Sequence, residues 1–330
     1  MTRDGVAAIE DQLKLQEKPA GDRLMLNRLS WMLRGRGLAH VARPNASCMA
    51  CGSDDATFYA IATSPDFSPK PFPRAIARAI TERALGRCNA CGFFQDYHRL
   101  TPAQVAEYLR ICSDKDLTVS DEAFMQYPVP QDYLDNFERV YAAKRVANWR
   151  AYFERTGRSP RRVLFIRPNF CFYLQLFREM FDSDCAALEI SHVSRRTIEE
   201  HMPEVRFLEG NIHAHFTGPF LESGPYDAVV CFHTMLHCID LNDCLAKLRG
   251  LLSPDGLLLL THEVSVKPTN PFHVSCPTEP SLCREVRKHF ASVERLDDGD
   301  AERSPHISPY TLKGDTPDFV ATGPIDGSAG

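Results

Sequence analysis

Four cysteines in two close pairs carry the clearest chemistry of this 330-residue chain: Cys48-Met-Ala-Cys51-Gly52 and Cys88-Asn-Ala-Cys91-Gly92. Four thiolates presented by two tight turns make a tetrahedral set of soft ligands, which suits Zn²⁺. A glycine after each pair supplies the positive φ that lets backbone amides turn toward the sulfurs. Cys48, Cys51, Cys88 and Cys91 would fill all four positions and leave none for a reactive water, so the expected metal is structural. A single C-x-x-C can instead be a redox pair, and core cysteines can share this spacing by chance. Two copies, each followed by Gly, weigh against both alternatives.

The histidines offer a second kind of chemistry. His233 and His237 flank Thr234-Met-Leu at the end of the apolar run Ala228–Phe232. If that run is a strand of an open α/β sheet, its carboxyl end is where such sheets place ligands. An imidazole there could take a proton from a hydroxyl or from a carbon beside a ketone, which makes His237, then His233, the general-base candidates. The ordinary role of a histidine near a sheet edge is a structural hydrogen bond. Metal binding by the pair would need a nearby acid as in H-E-x-x-H, which is missing. His262 and His273 can reach the same side; His213 and His215, alternating after Asn211, could face it or solvent. Arg167, after the run Val163–Ile166, adds a positive charge suited to a phosphate or carboxylate; its structural alternative is an ion pair with Glu189 or Asp227.

These groups need a framework. From Arg161 onward, short apolar runs alternate with helical segments. The runs are Val163–Ile166, Ala186–Ile190, Val205–Leu208, Ala228–Phe232 and Leu257–Thr261; the segments are Phe172–Met180, Val193–His201 and Asn242–Leu251. Continuous aliphatic runs separated by helices predict parallel strands covered on both faces. A helix over Ser281–His289 and two strands, Ser292–Leu296 and Phe319–Thr322, follow. The expectation is an α/β fold: a seven-stranded doubly wound sheet, preceded by a small zinc-binding module and a linking long helix.

The predicted organisation is an N-terminal helical extension (1–44), the zinc-binding module with helices (45–127), the linking helix (128–160), the α/β domain (161–323) and a tail (324–330). Within the first lies an amphipathic stretch, Asp22–Leu33. Within the second, Ile76, Ile80 and Leu85 predict a helix over Pro73–Leu85, and Thr101-Pro-Ala-Gln starts another. The linking helix begins at Gln131, with Leu134, Phe137, Tyr141, Trp149 and Phe153 at helical spacing. Asp297–Pro317 reads as an insertion loop.

Composition closes off several classes. The chain is 44% hydrophobic and 25% charged with a net charge of −5, ordinary values for a protein with a real core. No dense basic surface supports nucleic-acid binding. No apolar run is long enough to span a bilayer, and the charged opening residues do not resemble a secretory leader. A cytoplasmic, reducing location is the expectation, with eight of the 12 cysteines lying outside the two pairs as lone thiols.

Three segments carry a family resemblance. Arg87-Cys-Asn-Ala-Cys-Gly-Phe-Phe-Gln-Asp-Tyr-His, with the first knuckle before it, looks like the N-terminal zinc module of bacterial nucleotide-sugar C-methyltransferases and related polysaccharide-cluster methyltransferases. Tyr226-Asp-Ala-Val-Val-Cys-Phe-His-Thr-Met-Leu-His-Cys-Ile-Asp is similar to the fourth strand and following loop of their class I S-adenosylmethionine-dependent domain. Leu248-Arg-Gly-Leu-Leu-Ser-Pro-Asp-Gly-Leu-Leu-Leu-Leu resembles their helix–Pro–x–Gly–strand segment. In order of elements the resemblance runs from about Asn45 to Thr322.

The resemblance implies S-adenosylmethionine as cofactor and a sugar, nucleotide-linked sugar or related small metabolite as acceptor. It places Glu189 at the ribose hydroxyls, where the ordinary alternative is an exposed strand-end acid, and Asn211 near the adenine. Arg167 and Asn169, with Cys171, stand where the family has the glycines of its first cofactor-binding turn, and Phe165 where it has an acid. That Gly-free turn supports an alternative: a pseudo-methyltransferase that has lost the cofactor site and serves as a binding or scaffold partner, for instance of a paralogous methyltransferase.

Overall fold

The computed structural model describes residues 16–18, 40–41, 45–60, 73–74, 82–98, 100–101, 103–104, 107, 139–168, 172–189, 192–210, 222–232, 234–262, 274–296 and 318–325. The amphipathic stretch Asp22–Leu33, the start of the linking helix at Gln131 and the loop Asp297–Pro317 lie outside them.

The N-terminal part builds a small antiparallel sheet around the cysteines. Its strands are β1 (Gln16–Lys18), β3 (Ala56–Ala60), β5 (Leu85–Cys88) and β6 (Phe94–Asp96), hydrogen-bonded in the order β1-β3-β5-β6. Two short strands, β2 (His40–Val41) and β4 (Glu82–Arg83), pair in parallel beside it. The expected helix over Pro73–Leu85 is therefore corrected at its end: Arg74 is helical, but Glu82–Arg83 and Leu85–Cys88 are strands. Tertiary pairing overrides the helical spacing. Ala84 and Leu85 are buried, and Gly86 passes so close to the β3 backbone that an added Cβ would meet the Thr57 carbonyl at 2.9 Å. The Thr101 helix start is present as a reciprocal cap: the Gln104 amide donates to Thr101 Oγ1 and the Thr101 amide to Gln104 Oε1.

The linking helix α1 (Arg139–Thr156) leads into the α/β sheet. Then follow β7 (Arg162–Ile166), α2 (Phe172–Phe181), β8 (Asp184–Glu189), α3 (His192–His201), β9 (Arg206–Glu209) and β10 (Tyr226–Phe232). A 3₁₀ turn, Thr234–His237, precedes α4 (Leu241–Gly250), β11 (Leu252–Thr261), α5 (Glu279–Val286), β12 (Phe290–Arg295) and β13 (Asp318–Pro324). The strand order is β12-β13-β11-β10-β7-β8-β9, parallel except at β13, which runs antiparallel to both neighbours. This is the seven-stranded, mostly parallel sheet of a Rossmann-like methyltransferase fold. The strand order changes its direction of progression between β7 and β10, the switch point at whose carboxyl ends such sheets place ligands.

Strand alternation divides the core in two. Leu164, Ile166, Val229, Cys231, Leu258 and Leu260 face the cysteine module, α4 and α5; Val163, Phe165, Ala228, Val230, Leu257 and Leu259 face α1 and α2. Phe165 thus has a packing role. Its ring stacks on Phe232 and meets Phe177 edge-on, fully buried.

Candidate functional site

The two knuckles have the same backbone. Gly52 and Gly92 take φ of 74° and 75°, and their amides donate to the Cys48 and Cys88 carbonyls at 2.8 Å each. The four Sγ atoms lie within 4.8 Å of one another. Cys48 Sγ is 3.6 Å from Cys91 Sγ, and Cys51 Sγ is 3.5 Å from Cys88 Sγ. A tetrahedron of about 2.3 Å metal–sulfur bonds has edges of about 3.8 Å, so the set fits a tetrathiolate ion such as Zn²⁺. Burial pushes the Cys48 thiol up to about 11, so a cation entering the cluster must displace protons.

The module is bonded directly to the α/β part. Asn242 of α4 donates to the Met49 carbonyl at 3.2 Å, Lys288 to the Ala50 carbonyl at 2.9 Å and Arg284 to the Cys91 carbonyl at 2.9 Å. Glu285, 1% exposed between those two cations, bonds both. Strand β6 continues the contact. The Asp96 amide donates to the Val274 carbonyl at 2.8 Å, and the Cys276 amide to the Phe94 carbonyl at 3.0 Å.

At the carboxyl edge of the sheet, Arg167 and Glu189 end adjacent strands. The Arg167 amide donates to the Leu188 carbonyl at 3.0 Å, extending the β7–β8 pairing. Arg167 has φ of 53°, the left-handed conformation that glycine adopts without cost. The turn therefore keeps a glycine-type backbone with an arginine in it. The pairing of Arg167 with Asp227 is corrected: Asp227 is the second residue of β10, at the opposite end of the sheet, and accepts from the Arg161 and Arg162 amides. Glu189 is 3% exposed, not a solvated strand-end acid. Asn169, Asn211, His233, His213, His215 and His273 lie outside the described residues.

His237 closes the 3₁₀ turn after β10 and is 2% exposed. The Val274 and Ser275 amides donate to the carbonyl of its neighbour Leu236 at 2.8 and 3.0 Å. His262, fully buried just beyond β11, bonds through Nε2 to the Pro277 carbonyl at 3.0 Å. Since a carbonyl only accepts, Nε2 carries the proton and Nδ1 the lone pair. Burial pushes this imidazole down to about 4, despite the Pro277 bond. His262 is thus a neutral, buried residue that ties the end of β11 to the Pro277 carbonyl.

A buried ionic group sits at the same edge, on the α1 side. Arg145 Nε bonds both Asp318 oxygens at 2.9 and 2.7 Å; Thr261 donates to Asp318 at 2.5 Å, and Arg145 Nη1 to the Tyr173 hydroxyl at 2.9 Å. The guanidinium also covers the Tyr173 and Phe232 rings. Sequence reading missed this group. One signal was there: Tyr141, Trp149 and Phe153 leave a gap in their four-residue spacing that Arg145 fills. Nothing in the sequence pointed to Asp318 as its partner.

Comparison with known proteins bears on this edge. Residues 169–260 match the family model described as a methyltransferase domain. That span holds Glu189 and His237, and Arg167 precedes it by two residues. No curated protein sequence matches the chain. Similar solved structures include a chain of the Haloferax volcanii complex between the Trm112 methyltransferase activator and a methyltransferase: 13% identical over 63% of this chain and 99% of that one, TM-score 0.46. Another is the Burkholderia thailandensis 1,6-didemethyltoxoflavin-N1-methyltransferase bound to 1,6-didemethyltoxoflavin and S-adenosylhomocysteine, 17% identical over 74% and 96%, TM-score 0.42. A third is EvdMO1, 15% identical, TM-score 0.38, where the match covers 54% of this chain and 40% of that one. Among the described residues, no helix is long and apolar enough to cross a membrane.

Proposed function

We propose that this protein is an S-adenosylmethionine-dependent methyltransferase acting on a sugar, a nucleotide-linked sugar or a related small metabolite. The observation that carries the reading is the methyltransferase-domain match over 169–260, which falls on a sheet whose carboxyl edge holds buried Glu189 and the left-handed Arg167 turn. The cofactor would supply an electrophilic methyl group. Glu189 would accept from its ribose hydroxyls, Asn211 would meet the adenine, and the Arg167–Asn169 turn would lie against its amino-acid end. Arg167 brings a cation there that suits a carboxylate.

His237 would take the proton that the acceptor atom gives up, with His233 as the second candidate. The family resemblance supports the acceptor class. The four cysteines hold a structural zinc in this reading, and the domain boundaries follow the sequence: module 45–127, linking helix 128–160, methyltransferase domain 161–323. The lone thiols fit a cytoplasmic protein.

The test is methyl transfer from labelled S-adenosylmethionine by the zinc-loaded chain to a panel of nucleotide-linked sugars. His237→Gln is expected to lower turnover by roughly 10²–10⁴-fold and leave adenosylhomocysteine affinity nearly unchanged. Equal turnover in the variant would remove His237 from the chemistry. Absence of cofactor binding, together with a tightly bound paralogous methyltransferase, would instead support a scaffold.

A further inference from the structure

We propose that Gln95 is a positioning residue that couples the cysteine module to the turn carrying His237. Gln95 lies on β6 and is fully buried. Its Oε1 accepts from the Met49 amide at 2.7 Å, and its Nε2 donates to the Ser47 carbonyl at 3.0 Å. Both ends of the carboxamide are therefore used on the backbone flanking Cys48. A carboxamide offers an acceptor and a donor to one loop in this way, and neither group could be left unpaired in the core without cost.

The backbone of Gln95 carries the link onward. It lies opposite Ser275 in an antiparallel bridge, flanked by the Asp96–Val274 and Phe94–Cys276 bonds. The segment 274–277 is a strap with three attachments. Its carbonyl and amide at 274 and 276 meet β6, its amides at 274 and 275 both meet the Leu236 carbonyl, and its carbonyl at 277 meets His262. The Leu236 side chain is buried with Leu85, Phe94 and Cys276, so packing follows the same path. At the far end of the turn the amide of Cys238 reaches the Met235 carbonyl at 3.4 Å. From Cys48 to His237 the path consists of one buried glutamine and short backbone bonds. The strap is held on one side by β6, whose Gln95 side chain grips the Cys48 knuckle, and on the other by the Leu236 carbonyl, and so fixes where His237 stands.

The role of His237 rests on the proposed function; the coupling does not. Amide hydrogen exchange therefore tests the coupling in the full zinc-loaded chain, with metal content measured alongside. Gln95→Met removes both carboxamide bonds at matched length, and Gln95→Glu restores the acceptor for Met49. Exchange in 234–238 and 274–278 is expected to rise roughly tenfold in Gln95→Met, less in Gln95→Glu, and to stay unchanged in strands β7 and β8. In methyl transfer, kcat should fall with adenosylhomocysteine affinity unchanged.

Stripping metal from the unmutated chain should loosen the same two stretches, which decides the matter if Gln95→Met does not fold. Unchanged exchange in both stretches when the module is opened would overturn the coupling, as would loosening spread equally over β7 and β8. A chain that shows the coupled exchange but transfers no methyl group contradicts the proposed function and leaves the coupling standing.

Discussion

His262 makes a pH-dependent contribution to the stability of this fold. Its folded imidazole is pushed from 6.5 to about 4 by burial, so it stays neutral where the unfolded chain takes up a proton. The unfolded state then binds more protons below about pH 6.5, and stability falls as pH drops through that window. The full cost, reached near pH 4, is about 3 kcal/mol. Replacing it as His262→Gln should flatten this slope relative to the unmutated chain, as read from urea midpoints at about pH 7 and about pH 4.5. Parallel slopes in the two proteins would show that His262 is not the titrating group. Residues with a strong chemical signature were readable in advance. The knuckle cysteines and their glycines announced themselves by spacing, and the structure brings all four sulfurs together. Gln95 gave no signal, because its importance lies in partners 46 and 48 positions away.

At the scale of elements, the parallel strands were legible because their aliphatic runs are continuous, a pattern that burial on both faces demands. The segment ending at Leu85 was not. Ile76, Ile80 and Leu85 imitate a helix face, while strand pairing of β5 with β3 and β6 decides the conformation of its end. Element ends also hide the Arg145–Asp318 pair, whose members are 173 residues apart and join α1 to the first residue of β13. Burial alone would lower the guanidinium's pKa, but the carboxylate beside it holds it above its usual range. Asp318→Asn leaves that buried charge uncompensated and should cost about 3–5 kcal/mol in urea unfolding. The double change Arg145→Met with Asp318→Leu should recover much of the loss. A double variant as unstable as the sum of the two single changes would contradict this account of the pair.

For the whole molecule, the cysteine module and the sheet are one body of packing. Cys48, Met49 and Phe93 share a buried cluster with Leu241, Leu282 and Phe290, so metal at the knuckles should stabilise more than its own turns. Ligand sulfurs must lose protons to bind zinc, and burial already raises Cys48; zinc affinity should therefore weaken as pH falls from about 8 to about 6. Chelator competition at the two pH values measures this, and pH-independent affinity would argue against thiolate ligation.

In the proposed function the Arg167 turn, free of glycine, accommodates the cofactor because its backbone keeps the left-handed step at φ 53°. Calorimetric titration of S-adenosylhomocysteine into the zinc-loaded chain tests it most directly. The account predicts saturable one-to-one binding that Glu189→Ala weakens at least about tenfold, the order expected for hydrogen bonds to a charged group. No heat of binding in the intact, metal-loaded protein would contradict it.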